Sequence, residues 1–441
     1  MTFDDVKIYD KLTQYRHKRD PNYMIKFHLF IICIFLSISS IAQNSGGMVR
    51  RPTNNNSTRQ PTNGKKNTSN NTLYFKFEYA RSFSEGLACV KKGGKYGFID
   101  ITGRVVINCT YDYAGDFIEG LASVCLNRKW GFIDKNGGIV IPCIYESNFD
   151  LNTTHGVFFS EGLACVGLNG KYGYIDKQGR EVIPFLYHDA KPFNEGMAYV
   201  RYQRKYGFVN LNGHEIIPCK YDNVESFSEG LAMVELSDKY GFVDRYGKIV
   251  IPIKYDGAVG FSEGCACVKV NGKWGYIDMT GKEITPFIYD CFAHCNWKFS
   301  EGLAQVVTHV DNEWKSGFID KTGREVVPCI YTEVYPFKDG LALVQTNKEN
   351  DYRYGFIDKS GAVVIPCNYV YLGYSSSFDE GLLPARKGLK YEYGFIDNTG
   401  RIVIPLKYDD VGRFSEGLAP AKLNGKWGFV DKKGRPLLIR R

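Results

Sequence analysis

One short motif, written about ten times in succession, constrains this chain more than any other feature. A unit too small to bury its own apolar faces must fold by packing against its copies. The string Phe83-Ser84-Glu85-Gly86-Leu87-Ala88-Cys89-Val90 recurs, with later copies starting at Phe117, Phe159, Phe193, Phe227, Phe261, Phe299, Phe337, Phe378 and Phe414. A second string, Tyr96-Gly97-Phe98-Ile99-Asp100, follows each copy, and a third, of the form Val182-Ile183-Pro184 with Tyr187 behind it, closes nine of the ten. Successive Leu87-type positions lie 34, 42, 34, 34, 34, 38, 38, 41 and 36 residues apart, a base period of 34 with insertions.

The internal pattern decides the element type. Leu87 to Val90 and Tyr96 to Asp100 are short runs rich in β-branched and aromatic residues, bounded by turn residues. No stretch has helical spacing, so the strings are predicted strands. Asp100-Ile101-Thr102-Gly103 is a turn in which the Asp side chain caps nearby amides and Gly supplies a positive φ. The same form recurs from Asp134 to Asp431, with Asn210 as the one Asn variant. Gly-Lys pairs such as Gly170-Lys171 mark the preceding hairpin. Each copy is therefore predicted to be a three-stranded antiparallel meander. The Pro of the third string cannot donate to a ladder, so it ends that strand or sits at an edge. Gly97 and its equivalents are expected where a neighbouring ring or backbone lies close.

The form Lys129-Trp130-Gly131-Phe132-Ile133-Asp134, repeated at Lys273 to Asp278 and Lys426 to Asp431, resembles the WG (or KWG) β-repeat family of bacteria. The resemblance covers roughly residues 77–441. Tyr replaces Trp in most copies, and Ser316 does so once. The resemblance implies repeats of exported or envelope proteins and no shared catalytic residues.

The expected fold is thus all-β: a tandem array of about ten three-stranded units. Ten copies exceed a usual propeller ring, so an open superhelical, solenoid-like stack is the first expectation. A propeller-like closed ring is the alternative. The last copy stops just after its Asp-x-x-Gly turn, and residues 74–80 could supply its missing strand, which favours closure.

Ahead of the array, residues 24–43 have a positive start at Lys26, an apolar run from Leu29 to Ile38 and small residues at Ser40 and Ala42. This reads as a secretory signal cleaved after Ala42. Met24 is the expected true start, and residues 1–42 are surplus plus signal; an uncleaved signal anchor is the rival and the one route to a membrane. Residues 43–73, rich in Asn, Thr, Ser and Gly, are expected to be a disordered linker. Residues 74–441 form the repeat domain. The predicted location is exported: periplasm, cell surface or secreted.

Charge narrows the partners. Residues 43–73 carry five Lys/Arg and no acid, whereas from residue 74 onward 45 basic residues face 44 acidic ones. The body has no concentrated basic face, so no nucleic-acid partner is expected. The recurring acids, Glu85 and its copies, are read as turn caps accepting N–H bonds; a calcium row would need more acids per repeat. Cys109, Cys143, Cys219, Cys329 and Cys367 share one slot, and Cys89, Cys165 and Cys267 another, as small packing residues do. No catalytic motif appears, so the chain is read as not an enzyme, with no metal and no cofactor. The insertions break the repeat and carry the candidate binding residues Trp297, Trp314, Tyr352, Tyr371, Tyr374 and Tyr391. The expected partner is a protein or glycan of the bacterial envelope. The leading role is binding or scaffolding, with a carbohydrate- or peptidoglycan-binding module as the alternative.

Overall fold

The computed structural model describes residues 74–146, 157–290, 298–310, 313–348, 351–373, 377–388 and 390–440. The signal, the linker, Trp297 and Tyr374 lie outside the described residues. Every regular element described is a β-strand, and the strands form ten small antiparallel sheets. The first sheet is representative: β1 (Tyr79–Ala80), β2 (Leu87–Lys92), β3 (Lys95–Asp100) and β4 (Val105–Tyr111), in that spatial order. Seven of the ten sheets carry four strands and three carry three. The meander expected from the sequence is β2 to β4, and the strand in front of it is the addition. That strand is only two residues long, too short for period-2 alternation to register.

The three predicted strings meet in register. Tyr96 faces Tyr111, and Phe98 faces both Cys89 and Ile107. Between those last pairings the fourth strand bulges, and the Pro of the third string sits in that bulge on an edge strand, as at Pro252 between Ile251 and Tyr255. The bulge explains the invariant-looking glycine of the second string. A Cβ on Gly97 would stand 2.4 Å from the Ile107 carbonyl oxygen, and one on Gly131 equally close to that of Ile141. The close neighbour is the backbone of the repeat's own fourth strand, and only glycine leaves room for it.

The second strand is buried on both faces, with Leu87, Ala88, Cys89 and Val90 all in the interior. Such a strand needs a neighbour on each side. The core is accordingly divided into ten clusters, one at each junction between successive sheets. In the junction of the first two sheets, Cys89, Phe98, Ile107 and Tyr111 pack on Ala114, Phe117, Val124 and Ile133. At its centre the Phe98 and Phe117 rings lie 5.0 Å apart.

The same contacts join the last sheet to the first. Phe83 meets Phe429 at 5.0 Å, in a cluster that also holds Phe77, Val90, Ile99, Trp427 and Ile439. The tenth sheet is completed by both ends of the described chain. Leu437 donates to the Phe429 carbonyl, and Phe77 and Trp427 exchange backbone bonds of 3.0 and 2.9 Å. The Arg440 amide then bonds the Gly103 carbonyl of the first sheet at 2.7 Å. The array is therefore a ten-bladed closed ring, the alternative of the two arrangements and not the open stack expected first. Its physical cause is Tyr74 to Phe77, which fill the fourth-strand position that the tenth copy cannot fill alone.

Candidate functional site

An antiparallel meander sends its turns to two opposite ends, so the ring has two faces. One carries the Ser-Glu-Gly turns before the second strands and the Asp-x-x-Gly turns before the fourth. The other carries the hairpins between second and third strands, together with the links from each blade to the next.

The turn face is committed to holding blades together. Ser84 Oγ donates to the Phe117 carbonyl at 2.7 Å, and Ser160, Ser228, Ser262 and Ser300 repeat the bond one blade on. Glu85 accepts the Gly120 amide, Glu195 that of Gly230, Glu229 that of Gly264 and Glu416 that of Gly86, across the ring closure. The recurring acid does cap a turn through N–H bonds, but the turn belongs to the next repeat. Sequence reasoning could not see this, because the partner lies 35 residues away. A cation from the following Asp-x-x-Gly turn completes several pairs: Lys135 with Glu85, Arg245 with Glu195, Lys321 with Glu263 and Lys359 with Glu301. Burial acts to raise the carboxyls of Glu195, Glu263, Glu301 and Glu380. The amide and cation bonds outweigh it and hold them below the ordinary value of 4.5. Within the Asp-x-x-Gly turns, Asp320 accepts from the Thr322 hydroxyl, the Thr322 amide and the Arg324 amide. The Thr322 hydroxyl bond leads in bringing its carboxyl down to about 2.

The hairpin face carries a second ring of acids that the sequence reading missed. The residue after each third-string Tyr is the link, and Asp112, Glu146, Asp222, Asp256 and Asp290 occupy it. Asp112 pairs with Lys95 behind it and accepts the Asn127 amide of the hairpin ahead at 2.7 Å. Asp256 does the same with Lys239 and the Asn271 amide. The recurrence of an acid directly behind the Tyr was the available signal.

Against this regular background, the hairpins of the seventh, eighth and ninth blades depart from the plan. In the seventh and eighth, the hairpin strands lengthen to eight residues, at Leu303–Val310 with Glu313–Asp320 and Leu341–Lys348 with Asp351–Asp358. In the ninth they shorten to four, at Leu383–Arg386 and Tyr393–Ile396. Trp314 stands on the seventh hairpin, half-buried, with its ring 4.6 Å from that of His309. Tyr352 stands on the eighth, half-buried, opposite Asn347. In the ninth blade the structure brings two candidates into one cluster. Arg386 lies over the rings of Tyr391, at 4.6 Å, and Tyr393, at 5.3 Å, and Tyr393 meets Tyr371 edge-on. Tyr391 is the exposed member, at 50%, whereas Tyr371 is half-buried. The Arg353 guanidinium donates to the Lys387 carbonyl and ties the eighth hairpin to the ninth.

The ten described cysteines are free thiols. Cys109, Cys143 and Cys219 each direct the thiol to a second-strand Val carbonyl of their own blade, as packing residues in one slot would. Among the described residues no group of three or more His, Cys, Asp or Glu could hold a metal ion.

The model of the WG containing repeat matches ten consecutive segments, running without a long gap from residue 69 to residue 427. The chain belongs to the WG repeat family. Six of the ten family matches run from one Trp-slot residue to the next, as in 96–130 and 206–240, so each of these joins the last two strands of one blade to the first two of the following blade. No curated protein matches this WG chain in sequence. Among solved structures, a eukaryotic initiation factor aligns at 10% identity over 66% of this chain and 87% of its own, with a TM-score of 0.44. PorZ, titled a bacterial surface component of the type-IX secretion system of Porphyromonas gingivalis, aligns at 9% identity over 81% of this chain and 58% of its own, with a TM-score of 0.26. The extracellular domain of a putative hybrid two-component system from B. thetaiotaomicron aligns at 10% identity over 79% of this chain and 55% of its own, with a TM-score of 0.23.

Proposed function

We propose that this WG ring is a non-enzymatic binding or scaffold protein of the bacterial envelope or exterior, with ligand contacts on the hairpins of blades seven to nine. The observation that carries the reading is a break in the pattern of the described hairpins. Three consecutive hairpins change length there, and Trp314, Tyr352 and Tyr391 stand on them. Irregular loops on a rigid repeat scaffold are where binding residues concentrate. The reading as non-enzymatic is supported by the recurring acids, whose oxygens are engaged in the two clasp rings. Export is supported by the signal read in residues 24–43.

The exposed Tyr391, with Arg386 over its ring, is a flat platform of the kind that stacks on sugars, which favours a glycan as ligand. The test is binding of the purified protein to a panel of envelope glycans, followed by isothermal titration, for wild type and for Trp314→Ala/Tyr391→Ala. Loss of a glycan signal in the double variant supports the site. Equal binding by both moves the site elsewhere on the ring. Cell fractionation that leaves the protein in the cytoplasm would contradict the envelope assignment.

A further inference from the structure

The hairpin-face clasp loses its link acid at three junctions, and at one of them the facing lysine has no carboxylate in place of it among the described ion pairs. Between the third and fourth blades the link residue is His188, not an acid. Its Nε2 sits 2.8 Å from Lys171 Nζ. At the corresponding places the lysines Lys95, Lys129, Lys205, Lys239 and Lys273 each meet a link carboxylate. Where the link is Thr332 or Val370, the basic residue instead finds an acid on its own longer hairpin, Lys315 with Glu313 and Arg353 with Asp351. Lys171 has neither kind of partner among the described ion pairs.

Two arginines flank the same spot. Arg201, on the second strand of blade four, takes the slot that Cys125 holds in blade two, and Arg204 takes that of Arg128. A cavity of ≈ 490 Å³ opens there, lined by His188, Arg201, Gln203 and Arg204. The equivalent groove in blade two is lined by Asp112, Tyr113, Cys125, Asn127 and Arg128, with its own carboxylate in place. Arg201 Nε is buried without a hydrogen-bond partner, and its guanidinium lies 5.8 Å over the Tyr206 ring. The neighbouring acid, Asp189, stands opposite Arg201 in the strand pairing, accepts the Ala190 amide and lies 3.6 Å from Lys191. Gln203 occupies the hairpin slot whose amide, at Asn127, Ser237 and Asn271, donates to a link carboxylate. The junction thus keeps the donors of the clasp, has Arg201 in a slot that is also basic at Lys91, Lys269 and Lys422, and sets the His188 ring where a carboxylate stands elsewhere.

We propose that this cavity binds a carboxylate-bearing small molecule, whose carboxylate lies beside the His188 ring, among the donors that elsewhere surround a link acid. Lys171, Arg201 and the Gln203 amide donate to it, with Arg204 at the rim. The planar guanidinium suits a carboxylate through paired N–H bonds. Tyr202, 44% exposed with its ring 6.0 Å from that of His188, offers a flat wall for the rest of the ligand. The site is separate from the hairpins of blades seven to nine and does not depend on their role.

The test is isothermal titration of the purified protein with glucuronate and glutarate, with glucose as the uncharged match and inorganic phosphate as the other anion. One-to-one binding of a carboxylate, and none of glucose, is expected. Arg201→Gln should weaken it by about tenfold or more, the loss of one charge-assisted bond pair. His188→Asp places a tethered carboxylate in the cavity and should abolish binding without lowering the melting temperature, which separates a filled site from an unfolded one. Failure of both carboxylates to bind, or equal binding by His188→Asp, overturns the proposal. Binding of phosphate alone overturns the carboxylate assignment.

Discussion

Replacing Gly241 with Ala tests why the WG motif needs its glycine. The added Cβ would stand 2.7 Å from the Ile251 carbonyl oxygen, 2.7 Å from Ile253 Cα and 2.8 Å from Ile253 N. All three are backbone atoms, so no side chain can swing away. The fourth strand cannot retreat cheaply either, because it is pinned on both sides of the bulge by the pairings Phe242 with Ile251 and Tyr240 with Tyr255. Relief requires overpacking strain of about 1–3 kcal/mol and the loss of one or two ladder bonds at about 1 kcal/mol each. A cost of roughly 3 kcal/mol is expected by these terms. Gly230→Ala is the matched control. Gly230 has a φ of +79 and nothing within 4 Å of an added Cβ, so only the left-handed backbone penalty of about 1–2 kcal/mol applies. Equilibrium guanidinium unfolding of wild type and both variants measures the difference. A cost below about 1 kcal/mol for Gly241→Ala, or a larger cost for Gly230→Ala, would refute the steric reading.

Other expectations follow from closure, charge and burial. Phe77→Ala should cost about 3–5 kcal/mol, since Phe77 is 1% exposed in the closing core, whereas Tyr246→Ala, at 87% exposed, should be nearly neutral in the same unfolding assay. The clasp glutamates are held below 4.5 in the folded ring, so their contribution is full above that value and is lost as pH falls through the lower folded values. With Asp320 at about 2, the melting temperature should be level above pH ~5 and should decline between pH ~4.5 and ~2; a flat profile would contradict the clasp. Burial pushes the thiols of Cys89 and Cys165 up to about 12, so alkylation at pH 8 should be slow in the native protein and complete in denaturant.

Much of the fold was legible because the motif is local. The second and third strands, the Asp-x-x-Gly turns and the small-residue cysteine slots each declare themselves within a few residues. The features that escaped are relations between repeats. Glu229 is a plausible cap for its own turn by sequence, and only the packed ring shows it reaching Gly264. Asp112 looks like a loop acid until Lys95 and the Asn127 amide are seen on either side of it. Closure hangs on Phe77, whose partner Trp427 lies at the other end of the described chain. Of the aromatic candidates, Trp314 and Tyr371 turn out to be half-buried against His309 and Tyr393. An insertion read from sequence does not show which of its rings face solvent, and among the described candidates Tyr391 is the exposed one.

Native-state hydrogen exchange at the closing seam tests the ring most directly. The amides of Phe77, Trp427 and Arg440 bond Trp427, Phe77 and Gly103 across the junction, and the Trp274 amide bonds Tyr289 at the matching place inside the array. In a closed ring the three seam amides should be protected to the same degree as that of Trp274, and should lose protection only with global unfolding. Seam amides that exchange freely while Trp274 stays protected would mean an open array with frayed ends.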